Sequence, residues 1–467
     1  MNLLIKNGTV INADGRCVAD VAINDGKIIS VEQNIKPGVQ TEVVDASGLF
    51  VLPGAIDVHT HFELSFGDVF SSADDFFSGT KAAACGGVTT FIDFVTPVSC
   101  SPLVEAFEKR KATADPKVCI DYSLHMGLVE VNEDILAEME AILDHGITSF
   151  KVFSTYAFKL TDDEFRRTFA HAKELNATVL VHAEDHETLE ANRARFIAEG
   201  KTDAWHHYLT RPEEVEAKSV KNVIGIAKET GATIYIVHLA CAEGLKAVEE
   251  AQLEAQNDAK NIHSGYNGYK IYAETCPQYL NFTCDVYKRP DGRNFVCSPA
   301  IKGEASKVAL WESIVNRPHD NIGINTVATD HCPFNTTEKD LGKDDFTKIP
   351  NGVMGVENLY PYMLSEANKG CLSFERAVEL CSANPAKIFK LNKKGGVTPG
   401  NDADIVLYDP NKSFVISQKN MHSSLDYTIW EGVKLKGYPV STFSRGELIY
   451  KNGEFLGKAG HGKFITR

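Results

Sequence analysis

The chain has 467 residues, with 48 Lys and Arg against 63 Asp and Glu, for a formal net charge of −15. That balance argues against the basic surfaces that nucleic acid and anionic membranes reward. A content of 43% hydrophobic and 24% charged residues excludes a disordered acidic tail and provides for a large core.

Residues 1–50 alternate short apolar runs with hairpin turns: Leu3-Leu4-Ile5, Asn7-Gly8 and Val10-Ile11, then Val21-Ala22-Ile23, Asp25-Gly26 and Ile28-Ile29. Residues 1–20 lack a charged segment followed by an apolar one, and no run of about 18 apolar residues occurs anywhere, so neither a secretion signal nor a membrane span is expected. The 11 cysteines are scattered singly and never as CxxC, which suits reduced thiols and a cytoplasmic location.

From Pro53 to Leu391, strand-like and helix-like segments take turns. Eight candidate strands lie at 54–59, 89–94, 119–125, 148–153, 178–183, 233–239, 271–274 and 325–330. Helical patterns follow at 74–85, 101–114, 132–145, 161–175 with a Thr161 to Glu164 capping box, 212–229, 242–256, 307–316 and 373–390. Eight βα units of this length predict an α/β fold, a closed (β/α)8 barrel over residues 53–392, with a doubly wound open sheet as the alternative. Beyond it, Ile405-Val406-Leu407-Tyr408 ends at Asp409-Pro410 and Leu448-Ile449-Tyr450 at Asn452-Gly453. A lone hairpin is marginal in water, so residues 1–52 and 393–467 are expected to build one small β-sandwich from both chain ends.

Chemistry in such a barrel collects where the strands end. The first strand runs into His59-Thr60-His61, whose imidazoles, two apart, share a face. His-x-His alone is a weak motif, but the fifth strand ends in Val181-His182, the sixth in Val237-His238 and the eighth in Thr329-Asp330. Four imidazoles and one carboxylate from four strands form a metal-ligand set. Lys151 sits in the middle of the fourth strand, in Ser149-Phe150-Lys151-Val152-Phe153, where a snorkelling surface lysine has no way out. A buried ammonium beside cations loses its proton. The neutral amine reacts with carbon dioxide, and the resulting carbamate could bridge two metals about 3.5–4 Å apart.

The run Gly54-Ala55-Ile56-Asp57-Val58-His59-Thr60-His61, with Lys151, His182, His238 and Asp330, resembles the amidohydrolase superfamily in its two-metal form. More narrowly the chain resembles the cyclic amidohydrolases, the group of dihydropyrimidinase, hydantoinase and allantoinase, over essentially its whole length. The resemblance implies that His59 and His61 hold one ion and His182 and His238 the other. It also implies that N6-carboxylated Lys151 bridges, that Asp330 is both ligand and proton carrier, that zinc is the ion, and that the assembly is a homotetramer. Tyr156 lies where the hydantoinase and dihydropyrimidinase branch carries a tyrosine that polarises the substrate carbonyl, a role a phenol at a strand's end can fill. Ser298, and Asn351 within Ile349-Pro350-Asn351-Gly352, match that branch's contacts to the ring. Allantoinase is the enzymatic alternative, and a metal-free assembly protein on the same scaffold is the alternative of a different class.

Ala300-Ile301-Lys302 departs from the family, following Ser298-Pro299 where Pro-Leu-Arg or Pro-Ile-Arg is usual, and Glu274-Thr275-Cys276-Pro277-Gln278-Tyr279 resembles bacterial hydantoinases and allantoinases more than true dihydropyrimidinases. Leu64, Phe66, Phe153 and Phe158 could form an apolar wall for a ring substituent, or merely pack. Asp57 could orient an imidazole, and His331 could tune the site or pack. Cys241 and Cys332 lack a base for nucleophilic work. His206, His207 and His422 are expected at the surface, and the tail Gly460-His461-Gly462-Lys463-Phe464 could reach a neighbouring subunit. No Rossmann or Walker fingerprint is present, so a nucleotide cofactor is not expected.

Overall fold

A computed structural model describes residues 1–66, 70–97, 101–260, 267–316 and 321–467. Eight parallel strands pair in sequence order: β1 (Ala55–Thr60), β2 (Val88–Val95), β3 (Asp121–Gly127), β4 (Ser149–Phe153), β5 (Thr178–His182), β6 (Thr233–Ile236), β7 (Lys270–Thr275) and β8 (Thr326–Val327). Every residue of β1, β2 and β3 is buried, as parallel strands covered on both faces require. The eighth strand is shorter than the sequence suggests, and Asp330, expected within it, lies beyond its end in a left-handed conformation (φ 51°). The ring nevertheless closes, since His61 N–H donates to His331 O at 2.8 Å and His331 N–H to His59 O at 3.3 Å. Ile56, Val58, Ile92, Phe94, Leu180 and Tyr235 fill the interior, so the barrel is a packed core with an open upper end.

The expected helices stand outside the strands, including Asp162–Glu174 with its reciprocal Thr161 and Glu164 cap. Two helices not foreseen, His186–Ala198 and Ala204–Thr210, follow β5. The first buries little beyond Leu189 and Phe196, too sparse an apolar stripe to register as periodic. A third, Leu359–Lys369, is buried almost all round and therefore lacks a polar face to mark it. The single helix expected at 373–390 is broken: Phe374–Val378 and Asn384–Ile388 flank a π-helical turn at Glu379–Ala383 ahead of Pro385.

Strands from both ends share one nine-stranded mixed sheet. Phe50–Pro53, just before the barrel, pairs parallel with Leu3–Asn12 on one side and antiparallel with Ile405–Val415 on the other. Leu3, Ile5, Val21, Ile23, Ile405, Leu407 and Phe443 give this sandwich a small core of its own. The tail does not project outward: it folds onto its own barrel beneath the strands. Tyr122 N–H donates to Lys463 O (2.9 Å), Ile465 N–H to Tyr122 O (2.7 Å), and Arg467 reaches Ser123 and Ser149 with its guanidinium.

The sandwich is bolted to the barrel floor by Lys394, 8% exposed, whose Nζ contacts Asp121 (2.6 Å), Asp404 (2.5 Å) and Asp402 (3.0 Å). Removing one partner of a buried charge cluster costs about 3–5 kcal/mol, because the remaining charges lose their compensation. Lys394→Met is therefore expected to lower the thermal unfolding midpoint clearly while activity per folded molecule is kept. Calorimetry with an unchanged midpoint would refute the bolt.

Candidate active site

A cavity of about 450 Å³ opens at the strands' C-terminal ends. His59, His61, Lys151, Tyr156, His182, His238, Ser298, Asp330 and Asn351 all line it, so every site residue anticipated from the sequence converges on one place. The alternation of β1 aims His59 and His61 inward, and both Nε2 atoms lie 3.1 Å from Asp330 Oδ1. Across the mouth, His182 Nδ1 faces His238 Nε2 at 2.9 Å. His238 (φ 40°), Asp330 (φ 51°) and Tyr156 (φ 74°) all adopt left-handed backbone, which costs of order 1–3 kcal/mol each and persists only where the surroundings enforce it.

At His238 and beside Asp330, carboxylates below the rim do the enforcing. Glu274 Oε1 accepts from His59 Nδ1 (2.8 Å) and from the His238 backbone N–H (2.9 Å), while its Oε2 accepts from the Tyr235 hydroxyl (2.8 Å). Glu184 Oε2 accepts from His182 Nε2 (2.9 Å) and pairs with the Arg211 guanidinium. Asp93 accepts from Thr60 Oγ1 and Phe62 N–H, both at 2.9 Å, and so fixes the backbone on each side of His61. Asp57 binds no imidazole; it accepts from His59 N–H (3.2 Å) and Thr329 N–H (3.1 Å), tying β1 to the segment that carries Asp330. His331 is fully committed elsewhere, with Nε2 on Asp74 (3.0 Å) and Nδ1 accepting from Gly355 N–H (3.0 Å).

The electrostatics are those of a cation site. Burial pushes the His61, His182 and His238 imidazoles down, leaving neutral rings with a lone pair to offer. Burial also disfavours charge on His59, yet the Glu274 and Asp330 carboxylates override it and carry the ring up to about 9. Burial opposes ionisation of Asp330, but His59 and His61 hold its carboxyl well below the usual carboxylate range. Lys151 is 2% exposed, its Nζ has no hydrogen-bond partner, and it lies 5.3 Å from the ring centroids of both Phe94 and Phe153. Burial pulls this amine down to about 8. A donor set of imidazoles, one carboxylate and an unpartnered reactive amine fits two divalent ions and a carbamate.

Tyr156 stands at the cavity wall, its hydroxyl pushed up to about 12 by burial against the pull of Arg211 and a Ser298 hydrogen bond. Asn351 Nδ2 donates to Ser298 Oγ at 2.9 Å, joining the two anticipated ring contacts. Leu64, Phe70, Phe153 and Phe158 supply apolar wall; the Phe66 side chain lies outside the described set. The unusual Lys302 is buried and donates to Arg211 O (2.6 Å), near Glu216 (3.7 Å). His207, expected at the surface, is 2% exposed because the unforeseen helix 204–210 presses it against Cys297 O (2.9 Å). His422 is half-buried on Glu357 (2.6 Å).

The roles of Glu274, Glu184 and Arg211 escaped the sequence reading. A usable signal existed: Glu274 is the one acid of its barrel strand and follows the run Ile271-Tyr272-Ala273, the same anomaly that exposed Lys151, and Glu184 lies two residues beyond His182.

Comparison with known proteins agrees with this geometry. The sequence profile described as the Amidohydrolase family matches residues 50–449. The chain is 40% identical to D-phenylhydantoinase of Escherichia coli (strain K12 / DH10B), over 100% of this chain and 98% of that protein. Its fold is similar to dihydropyrimidinase from Brevibacillus agri NCHU1002 and to D-hydantoinase from a Bacillus sp. AR9, each with TM-score 0.93, 36% identity, and cover of 100% of this chain and 99% of the other.

Carboxylates that orient metal-binding imidazoles are worth about 10–100-fold in metal affinity. Glu274→Gln, which keeps the shape and loses the charge, is expected to weaken metal retention by about that factor in a chelator competition. Retention equal to the parent chain would remove Glu274 from its orienting role.

Proposed function

Because the chain belongs to the amidohydrolase family, we propose that it hydrolyses cyclic amides, opening hydantoin or dihydropyrimidine rings to N-carbamoyl amino acids. The observation that carries the reading is the unpartnered Lys151 amine among four imidazoles and Asp330, in a cavity that also holds Tyr156, Ser298 and Asn351. His59 and His61 would hold one divalent ion, His182 and His238 the other, with Asp330 and a carbamate on Lys151 completing the set. Bound there, the pair would supply a water acidic enough to attack at neutral pH and polarise the scissile carbonyl.

The chain's own groups do the rest. Ser298 and Asn351 orient the ring at its imide edge, and the wall of Leu64, Phe70, Phe153 and Phe158 takes an apolar substituent. Tyr156 donates from Oη to the carbonyl oxygen as negative charge develops there. Asp330 takes the proton from the attacking water on a carboxylate oxygen and delivers it to the departing ring nitrogen. A 5-monosubstituted hydantoin then yields an N-carbamoyl amino acid, and dihydrouracil yields N-carbamoyl-β-alanine. Zinc and a homotetramer are carried with this reading on the strength of the kinship. A cytoplasmic site of action is supported by the described cysteines being unpaired, and no described helix is long and apolar enough to cross a membrane.

Ring opening assayed on phenylhydantoin, dihydrouracil and allantoin tests the proposal; activity on allantoin alone, or metal near zero per chain, would overturn it. Asp330→Asn is expected to lower kcat by about 10²–10⁴ with KM little changed, and Tyr156→Phe by about 10²–10³. Lys151→Ala should lose metal and rate together, with short carboxylic acids restoring part of both. Full activity of that variant without additives would refute the carbamate.

A further inference from the structure

Lys339 ends the short helix Thr336–Lys339 and is 0% exposed, outside the lining of the cavity. Its Nζ donates three hydrogen bonds, to the carbonyl oxygens of Val296 (2.9 Å), Pro350 (2.8 Å) and Gly352 (2.8 Å). A lysine ammonium has three N–H groups and no acceptor, so this one is fully used. Three carbonyl oxygens converging on one point repel one another unless a cation sits among them, and among the described residues no carboxylate ion pair to Lys339 competes for it. Burial pulls the amine down to about 7, with the Cys297 and Cys332 thiols acting the other way. The three acceptors need all three protons and so favour the charged form.

The acceptors are placed in a telling way. Val296 stands two residues before Ser298, and Pro350 and Gly352 bracket Asn351. The two segments reach the site from different parts of the chain, one after β7 and one after β8. Gly352 N–H also donates to Val296 O (2.9 Å), and with φ at +152° a Cβ there would come within 2.1 Å of Cys332 O, so only glycine allows the approach.

We propose that Lys339 is a positioning residue of the ring site: its ammonium clamps 296–298 against 350–352 at the spacing at which Ser298 and Asn351 together grip a cyclic amide. The identity of the gripped ligand rests on the ring-opening reading above; the clamp itself does not. Groups that grip substrate must be held within about half an ångström by their supporting contacts, and a clamp one shell away acts through KM before kcat.

Lys339→Met keeps the unbranched side chain up to its fourth atom and removes all three donors, while Lys339→Gln keeps two. In Lys339→Met we expect unchanged metal content, KM for the ring substrate raised about tenfold or more, and kcat within about threefold of the parent. Lys339→Gln should fall between, and carries the same test if the Met variant does not fold. Crystal structures of the variants should show the Asn351 to Ser298 hydrogen bond lost. A folded variant with parental KM, with kcat and thermal midpoint falling together at fixed KM, or with that hydrogen bond intact would overturn the clamp. If the parent chain opens no cyclic amide, the ring-opening reading alone fails, and the crystallographic separation still decides the role of Lys339.

Discussion

An amine enclosed by aromatic rings, with no acceptor in reach, is poorly tolerated as an ammonium, and Lys151 is held in that condition between Phe94 and Phe153. The strand gives it no exit: its backbone pairs with β5 on one side, and β3 pairs with β4 on the other. The arrangement above it follows from this constraint. Four imidazoles and one carboxylate crowd the same volume, and a cation-binding set is the stable way to bring so many lone pairs together.

Around that centre the chain spends its buried carboxylates on orientation. Asp57 and Asp93 hold backbone, Glu274 serves His59 and the His238 amide at once, and Glu184 couples His182 to Arg211. Each acid sits below or beside the ring of donors, and Glu274 at the His238 amide and Asp57 at the Thr329 amide tie down the backbone where His238 and Asp330 adopt left-handed conformations. Lys339 does on the substrate side what the acids do on the metal side, with the charge reversed because its partners are carbonyls.

The centre was legible in the sequence because a polar residue on a buried strand is an anomaly that needs no partner to be noticed. His59, His61, His182, His238 and Asp330 stand at or near strand ends, and Lys151 interrupts an apolar strand at its middle. Glu274 and Glu184 carry the same mark but acquire meaning only through a tertiary partner. Lys339 lies in a polar stretch, Thr336 to Lys343, where nothing local distinguishes it from a solvated lysine. Two of the helices that went unforeseen fail for opposite reasons: His186–Ala198 has too few buried positions and Leu359–Lys369 too many, so neither shows a periodic face. The π-helical turn at Glu379–Ala383 packs against β1 and β8, contacts that no local pattern announces.

Ile405–Val415 pairs with Phe50–Pro53, which leads directly into β1, and Phe50–Pro53 in turn pairs with Leu3–Asn12. During translation the first strands therefore emerge some 350 residues ahead of a neighbour they need. Until the ribosome delivers it, they present an open sheet edge, the kind of surface on which chains stick to one another. Yield of this protein in a cell should accordingly be governed less by the stability of the finished fold than by how well that waiting edge is shielded while the barrel is being made.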